Sequence, residues 1–312
     1  MTRRTFVFVL LLAGALRAAD QPFFFIQLAD PQFGFAAENK DFALETANFE
    51  KAIAAANRLR PAFVIVCGDL VNRPGDPAQV AEYLRIASKL DRSIKLYNVA
   101  GNHDVGNEPT AASIAAYKEK FGPDYYSFRV GGMAAFVLNS QIIHFGKPVE
   151  ELQEQRRWLE TELARAKKAG ARRPVVFQHH PLFIADPAEK DAYVNIPLAR
   201  RREYLDLFKK YGVSHVFTGH HHRNGLAKDG PVEVVVNGPV GKPLGPDPSG
   251  LRIVIVRDSG LEHRYYGLDG LPERVQLPPS HQATKSNRFS RLVPWCLCGE
   301  NDSKLTTAFF GL

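Results

Sequence analysis

Five short apolar runs, each ending in side chains that can hold a metal, constrain this chain more than any other feature. They are Phe24–Gln32, Phe63–Asn72, Val99–Val105, Val175–Pro181 and His215–His222. Consecutive β-branched and aromatic residues without alternation mark strands buried on both faces. If such strands lie in α/β sheets, their C-terminal ends share the edge where those sheets bind ligands. Val-Ala-Gly-Asn-His-Asp-Val at 99–105 would by itself be an ordinary turn. In the company of the other four it becomes one wall of a site.

The stretches between the runs set the fold class. Helical spacing of apolar residues marks Asp41–Leu59, Ala78–Leu90, Ala111–Phe121, Val149–Ala169 and Leu198–Tyr211 as helices. Lys95–Ala100 is a third strand, and Tyr125–Val130 and Met133–Leu138 flank Gly131-Gly132 as a hairpin. Val232–Asn237, Leu251–Arg257 and Leu261–Tyr266 read as strands in hairpin-like succession. Strand–helix alternation that gives way to hairpins predicts an α/β fold, a pair of mixed sheets covered by helices in a four-layer α/β/β/α sandwich. With 312 residues the chain has an ample core for it.

The two ends differ from the middle. Arg3 and Arg4 precede the apolar run Phe6–Leu16 and small residues follow, which predicts a signal peptide over 1–19 and an exported protein. That run is short for a bilayer span, so no stable membrane insertion is expected once the signal is removed. Residues 277–312 are rich in Ser, Pro, Asn and Thr without periodicity and read as a poorly ordered tail. The net charge of +7 owes much to these ends, and no basic cluster marks a nucleic-acid partner. Cys67 lies in an apolar run and reads as a buried small hydrophobe; no physical account covers Cys296 and Cys298.

The candidate ligands are Asp30, Gln32, Asp69, Asn102, His179, His220 and His222. Carboxylate mixed with imidazole and no thiolate suits Mn, Fe or Zn. Seven donors exceed what one transition ion needs and suit two ions that share a carboxylate. Asp69 is the natural bridge, because Gly68 before it lets the backbone turn sharply towards the metals. Two ions about 3.5–4 Å apart can hold a hydroxide and neutralise phosphoryl oxygens during in-line displacement.

The order Asp-x-Gln, Gly-Asp, Gly-Asn-His-Asp, His-His-Pro, Gly-His-His-His resembles the calcineurin-like metallophosphoesterases. Within them the chain is similar to the calcineurin-like phosphoesterase domain-containing serine/threonine phosphatases. Asp30–Gly34, Leu138–Gln141, Val176–Phe183 and the Gly-Leu-Arg and His-Arg-Tyr-Tyr of Asp247–Asp269 support this. The resemblance implies the metallo-dependent phosphatase fold over residues 20–276. It implies that Asp30, Gln32, Asp69 and His222 hold one metal, and Asp69, Asn102, His179 and His220 the other. His103 would bond the phosphate and act as general acid, with Asp104 orienting it. His179 rather than His180 is the ligand by the family's His-x-Pro spacing. Asn102 and His103 would meet the substrate, and Arg223, by its own chemistry, would either clamp a phosphate there or be a surface arginine. Asn72 would line the pocket or cap a turn.

One departure stands out: most of the family has His where this chain has Gln32. An amide oxygen is the weaker donor, so that site should lean towards Mn or Mg. The expected activity is hydrolysis of phosphate monoesters, including phosphoserine or phosphothreonine, by a metal-bridging hydroxide. Phosphodiesterase or nucleotidase action on the same site is an alternative. A metal- or phosphate-binding module without catalysis is another.

Overall fold

The computed structural model describes residues 21–277. The expected signal at 1–19, almost all of the expected tail, and Cys296 and Cys298 lie outside the described residues. The first half runs β1 (Phe23–Leu28), α1 (Ala43–Leu59), β2 (Phe63–Cys67), α2 (Pro77–Ala87), β3 (Lys95–Val99), α3 (Asn102–Val105) and α4 (Ala111–Phe121). Then come β4 (Tyr126–Val130), β5 (Met133–Val137), α5 (Ser140–Phe145), α6 (Val149–Lys168), β6 (Arg173–Phe177) and α7 (Leu198–Tyr211). The chain closes with β7 (His215–Thr218), β8 (Gly225–Asp229), β9 (Val232–Val236), β10 (Gly250–Arg257) and β11 (Gly260–Gly267).

These strands form two mixed sheets, ordered β11-β10-β1-β2-β3 and β4-β5-β6-β7-β9-β8. In the first sheet β1, β2 and β3 are parallel, and the antiparallel pair β10 and β11 lies on one side. In the second β5, β6, β7 and β9 are parallel, with antiparallel β4 and β8 at the edges. Alternate side chains of one strand feed different layers. Phe63, Ile65 and Cys67 of β2 pack with Phe177, Phe217 and Val235 between the sheets. Val64 and Val66 pack with Phe49 and Ala52 of α1 and Tyr83 of α2. On the far side Val176 and Val216 meet Leu159 of α6 and Phe208 of α7. Three apolar layers between four layers of secondary structure explain why the strands carry unbroken hydrophobic runs. The α/β/β/α sandwich is as expected, and Cys67 is buried within it.

The last strands depart from the expected hairpin succession. β9 pairs in parallel with β7 and antiparallel with β8, whereas β10 crosses to the other sheet beside β1. β8 escapes sequence reading because Gly-Leu-Ala-Lys-Asp is an exposed edge with only Ala227 buried. The crossing segment passes over the ligand-bearing edge, where Val240 and Gly241 donate backbone hydrogen bonds to the carbonyls of Ala29 and Asp30.

A polar chain braces the sheets near the start of β7. Arg252 Nη1 donates to His263 Nδ1 at 3.0 Å, so the ring proton sits on Nε2 and goes to Glu233 at 2.8 Å. His215 lies beside this pair, and Lys228 takes the second Glu233 oxygen at 2.8 Å. Proximity alone would let His215, Glu233 and His263 hold a cation, but the guanidinium on Nδ1 already commits the other ring nitrogen as a donor.

Candidate dinuclear metal site

The backbone itself marks the site. Among the described residues, eight non-glycine residues have positive φ, and five are candidate ligands: Asp30 (50°), Gln32 (41°), Asp69 (51°), His220 (67°) and His222 (53°). Such conformations persist only where the surroundings enforce them, and they concentrate at functional sites. Here the enforcing contacts are backbone hydrogen bonds between loops, from Asp30 N to Gly68 O and from Gln32 N to Asp69 O. Gly68 has φ 84°, and a Cβ there would stand 2.3 Å from His179 Nδ1. Close approach of the turn to that imidazole therefore requires glycine.

All seven expected ligands are buried, and their contacts knit one cluster. His179 Nε2 lies 3.2 Å from Asp69 Oδ2, 3.1 Å from Asn102 Oδ1 and 3.1 Å from His220 Nδ1. His222 Nε2 lies 3.5 Å from Asp30 Oδ1. Asp69, His179 and His220 form one set of mutually close donors; Asp30, Asp69 and His222 form a second. Asp69 alone belongs to both.

A carbonyl can only accept, so any ring nitrogen facing one carries the proton. His179 Nδ1 faces Cys67 O at 2.8 Å, His222 Nδ1 faces Lys242 O at 2.7 Å, and His220 Nε2 faces Tyr193 O at 3.0 Å. The free lone pairs are therefore Nε2 of His179 and His222 and Nδ1 of His220. Those are the atoms turned towards the carboxylates. Backbone carbonyls commonly fix metal-binding histidines in this way.

The donor set fits metal ions on further grounds. Gln32 Nε2 donates to Asn72 Oδ1 at 3.1 Å, while Oε1 is buried without a hydrogen-bond partner. An orphaned buried acceptor is costly unless something electropositive meets it. Burial, with Asp69 and Asp104 nearby, pushes the Asp30 carboxyl well above the usual range. Burial also works against the Asp69 carboxylate, but His179, then His103 and His220, hold it below the usual range. Burial lowers the His179 imidazole, yet Asp69 and Asp30 lift it to about 9. Burial, seconded by His179, keeps His220 down at about 3, and burial likewise lowers His222. Packed acids beside His220 and His222, whose rings burial keeps neutral, call for cations.

His103 is half-buried at the start of α3. Its Nδ1 faces the Asn72 carbonyl at 2.8 Å, which leaves Nε2 for a substrate. The expectation that Asp104 orients this ring is corrected. Asp104 accepts instead from the backbone N–H groups of Leu70, Val71 and Gly101, at 2.9, 3.3 and 2.8 Å. It ties the Asp69 loop to the Asn102 loop, and the orienting acceptor is Asn72. Arg223 is exposed, with Nε donating to Leu244 O at 3.1 Å.

Four further residues matter to which the sequence motifs give no role, Ser140 among them although it lies in the Leu138–Gln141 stretch of the family likeness. Ser140 Oγ accepts from the amides of His179 and His180, so its own proton goes to His180 Nδ1 at 3.0 Å. Asn39 and Gln79 fix Asn72, and through it the amide of Gln32. Tyr193 joins His220 and Asn102. None sits in a strand-end run, so no local pattern singles any of them out.

Carboxylates, amides and imidazoles gathered at the carboxyl edge of paired mixed sheets define a metal-dependent hydrolase of phosphoric esters. Residues 25–224 match the calcineurin-like phosphoesterase family, and the chain belongs to it. It is 40% identical to the serine/threonine-protein phosphatase CPPED1 of Bos taurus over 269 residues, 81% of this chain and 86% of that one. In fold it is similar to a dimetal phosphatase from Danio rerio, with TM-score 0.54, 15% identity, and coverage of 79% of this chain and 99% of that one. It is also similar to a purple acid phosphatase from yellow lupin, with TM-score 0.61, 14% identity, and coverage of 81% and 52%.

Proposed function

We propose that the chain hydrolyses phosphate monoesters, phosphoserine and phosphothreonine side chains among them, at a site for two metal ions. The observation that carries this is Asp69, the one residue common to both close donor sets. Asp30, Gln32, Asp69 and His222 would hold one ion; Asp69, Asn102, His179 and His220 the other. Mn, Fe or Zn suits the imidazole-rich set, and Mn or Mg the set completed by the Gln32 amide. When bound, such a pair supplies Lewis acidity and acidifies a water for in-line displacement.

The protein's own groups do the rest. His103 stands at the half-exposed mouth, its ring fixed by Asn72, and donates a proton to the departing alkoxide. His103 N–H also donates to Asp69 Oδ1 at 2.9 Å, so the acid and the bridging carboxylate keep one spacing. Arg223, exposed and next in the chain to His222, would offer its terminal nitrogens to a phosphoryl oxygen. The phosphatase named in the similarity to the Bos taurus protein supports a phosphoprotein substrate.

Two variants test the scheme on p-nitrophenyl phosphate with Mn. Asp69→Asn should abolish turnover and lower metal content. His103→Ala should keep the metal and lose about 10²–10⁴-fold in kcat, the usual worth of general acid–base catalysis. Full activity in Asp69→Asn would overturn the reading.

A further inference from the structure

Tyr193 lies on the segment between β6 and α7, outside every motif of the metal site, and more than half of it is exposed at 57%. Its two ends nonetheless touch two candidate ligands of the same ion. The carbonyl takes the His220 Nε2 proton at 3.0 Å, and the hydroxyl accepts from Asn102 Nδ2 at 2.9 Å. The ring packs on the His220 imidazole, with centroids 4.8 Å apart.

Counting donors shows what the hydroxyl has left. The Asn102 amide has two N–H groups, one spent on Asn107 Oδ1 at 2.9 Å and the other on Tyr193. Its oxygen must then face His179 Nε2, as it does at 3.1 Å. The phenol has accepted one hydrogen bond and still owns a proton, and among the described residues it donates that proton to nothing. The phenol oxygen therefore stands one hydrogen bond from the amide nitrogen of Asn102, whose own oxygen is among the candidate ligand atoms. The segment is also built to hold this pose. Arg201, fully buried, donates to the carbonyls of Pro187, Glu189 and Ile196. Asn195 O takes the His144 Nδ1 proton, and Glu189 caps the amides of Ile184, Ala185 and Asp186.

We propose that Tyr193 is a catalytic residue of this site, its hydroxyl donating to a non-bridging phosphoryl oxygen of the bound ester while Asn102 donates to it. The proposal rests on the phosphoesterase reading above. Tyr193→Phe is the test, because it keeps the ring packing and the carbonyl that His220 needs. Manganese-loaded protein is titrated calorimetrically with inorganic phosphate, metal content is measured, and p-nitrophenyl phosphate is the substrate.

The variant should hold as much metal as the wild type. It should bind phosphate about tenfold more weakly and lose about tenfold in kcat/KM, as for one lost hydrogen bond to a charged group. Equal phosphate affinity in the two proteins would overturn the proposal while leaving the phosphoesterase intact. Loss of metal from the variant would also overturn it, since Tyr193 would then only support Asn102. A wild type that takes up metal but neither binds phosphate nor hydrolyses the ester would sink both readings together.

Discussion

At the residue scale, Asp104 shows how a motif can mislead by one position. In Asn102-His103-Asp104 the acid adjoins the imidazole in sequence, which suggests a carboxylate–histidine pair. In the short helix α3 consecutive side chains diverge, so His103 turns to the mouth and Asp104 turns inward. There it is 5% exposed and accepts three backbone amides from two loops. Burial, with Asp69 close by, pushes its carboxyl up to about 8. Asp104→Ala leaves three amides without their acceptor, and unmet buried donors cost about 1–3 kcal/mol each. The variant should lose about 3 kcal/mol or more in urea unfolding and should bind metal poorly, whereas His103→Ala should lose little of either. A stable, metal-replete Asp104→Ala would mean that the two loops are held by something else.

At the scale of elements, strands and helices follow their sequence patterns, while the segments between them depend on single polar anchors. Residues 182–197 have no regular structure and no periodic signal, yet they carry Tyr193. Their geometry hangs on Arg201 of α7, whose guanidinium replaces the backbone partners that a strand would supply. Buried charged residues of this kind are expensive and are seldom tolerated without several acceptors. Arg201→Leu should leave the sandwich folded but release the segment. Hydrogen exchange at Tyr193–Ile196 should quicken by an order of magnitude or more, and phosphate hydrolysis should fall more than thermal stability does. Unchanged exchange would show the segment anchored by Glu189 and Asn195 alone. Helix α2 illustrates the reverse case: its start is fixed locally, with Asp76 capping Ala78 and Gln79 and Pro77 at the first helical position.

Across the whole molecule, the two sheets bury a polar brace at the end of β7 remote from the ligands. Burial, reinforced by His263 and Lys228 and opposed by Glu233, lowers the His215 imidazole to about 4, and burial lowers His263 as well. In an unfolded chain both would titrate near 6.5. Below that pH the unfolded state takes up protons that the folded state refuses. Stability is therefore complete above about pH 6.5 and falls as pH drops, down to about 4 for His215. The urea midpoint should decline from pH 7 to pH 5, and His215→Gln should reduce that decline. A midpoint that rises on acidification would contradict the burial of these rings.

How much of this was legible in the chain follows from which contacts are local. The buried strands, most helices and the polar strand ends that carry the candidate ligands could be read directly, because an unbroken apolar run reports burial on both faces and a polar strand end reports the sheet edge, though preferring His179 to His180 took the family's spacing. Family likeness was needed to divide the ligands between two ions. Only the folded structure placed β8 and sent β10 to the other sheet, since an exposed edge strand has no pattern and pairing partners are set by long-range packing. Only it turned Asp104 from the imidazole to the backbone, and brought Tyr193 to Asn102 across 91 positions. Hydrogen bonds between distant segments leave no periodicity in the sequence; they come into being when the sheets bring their ends together.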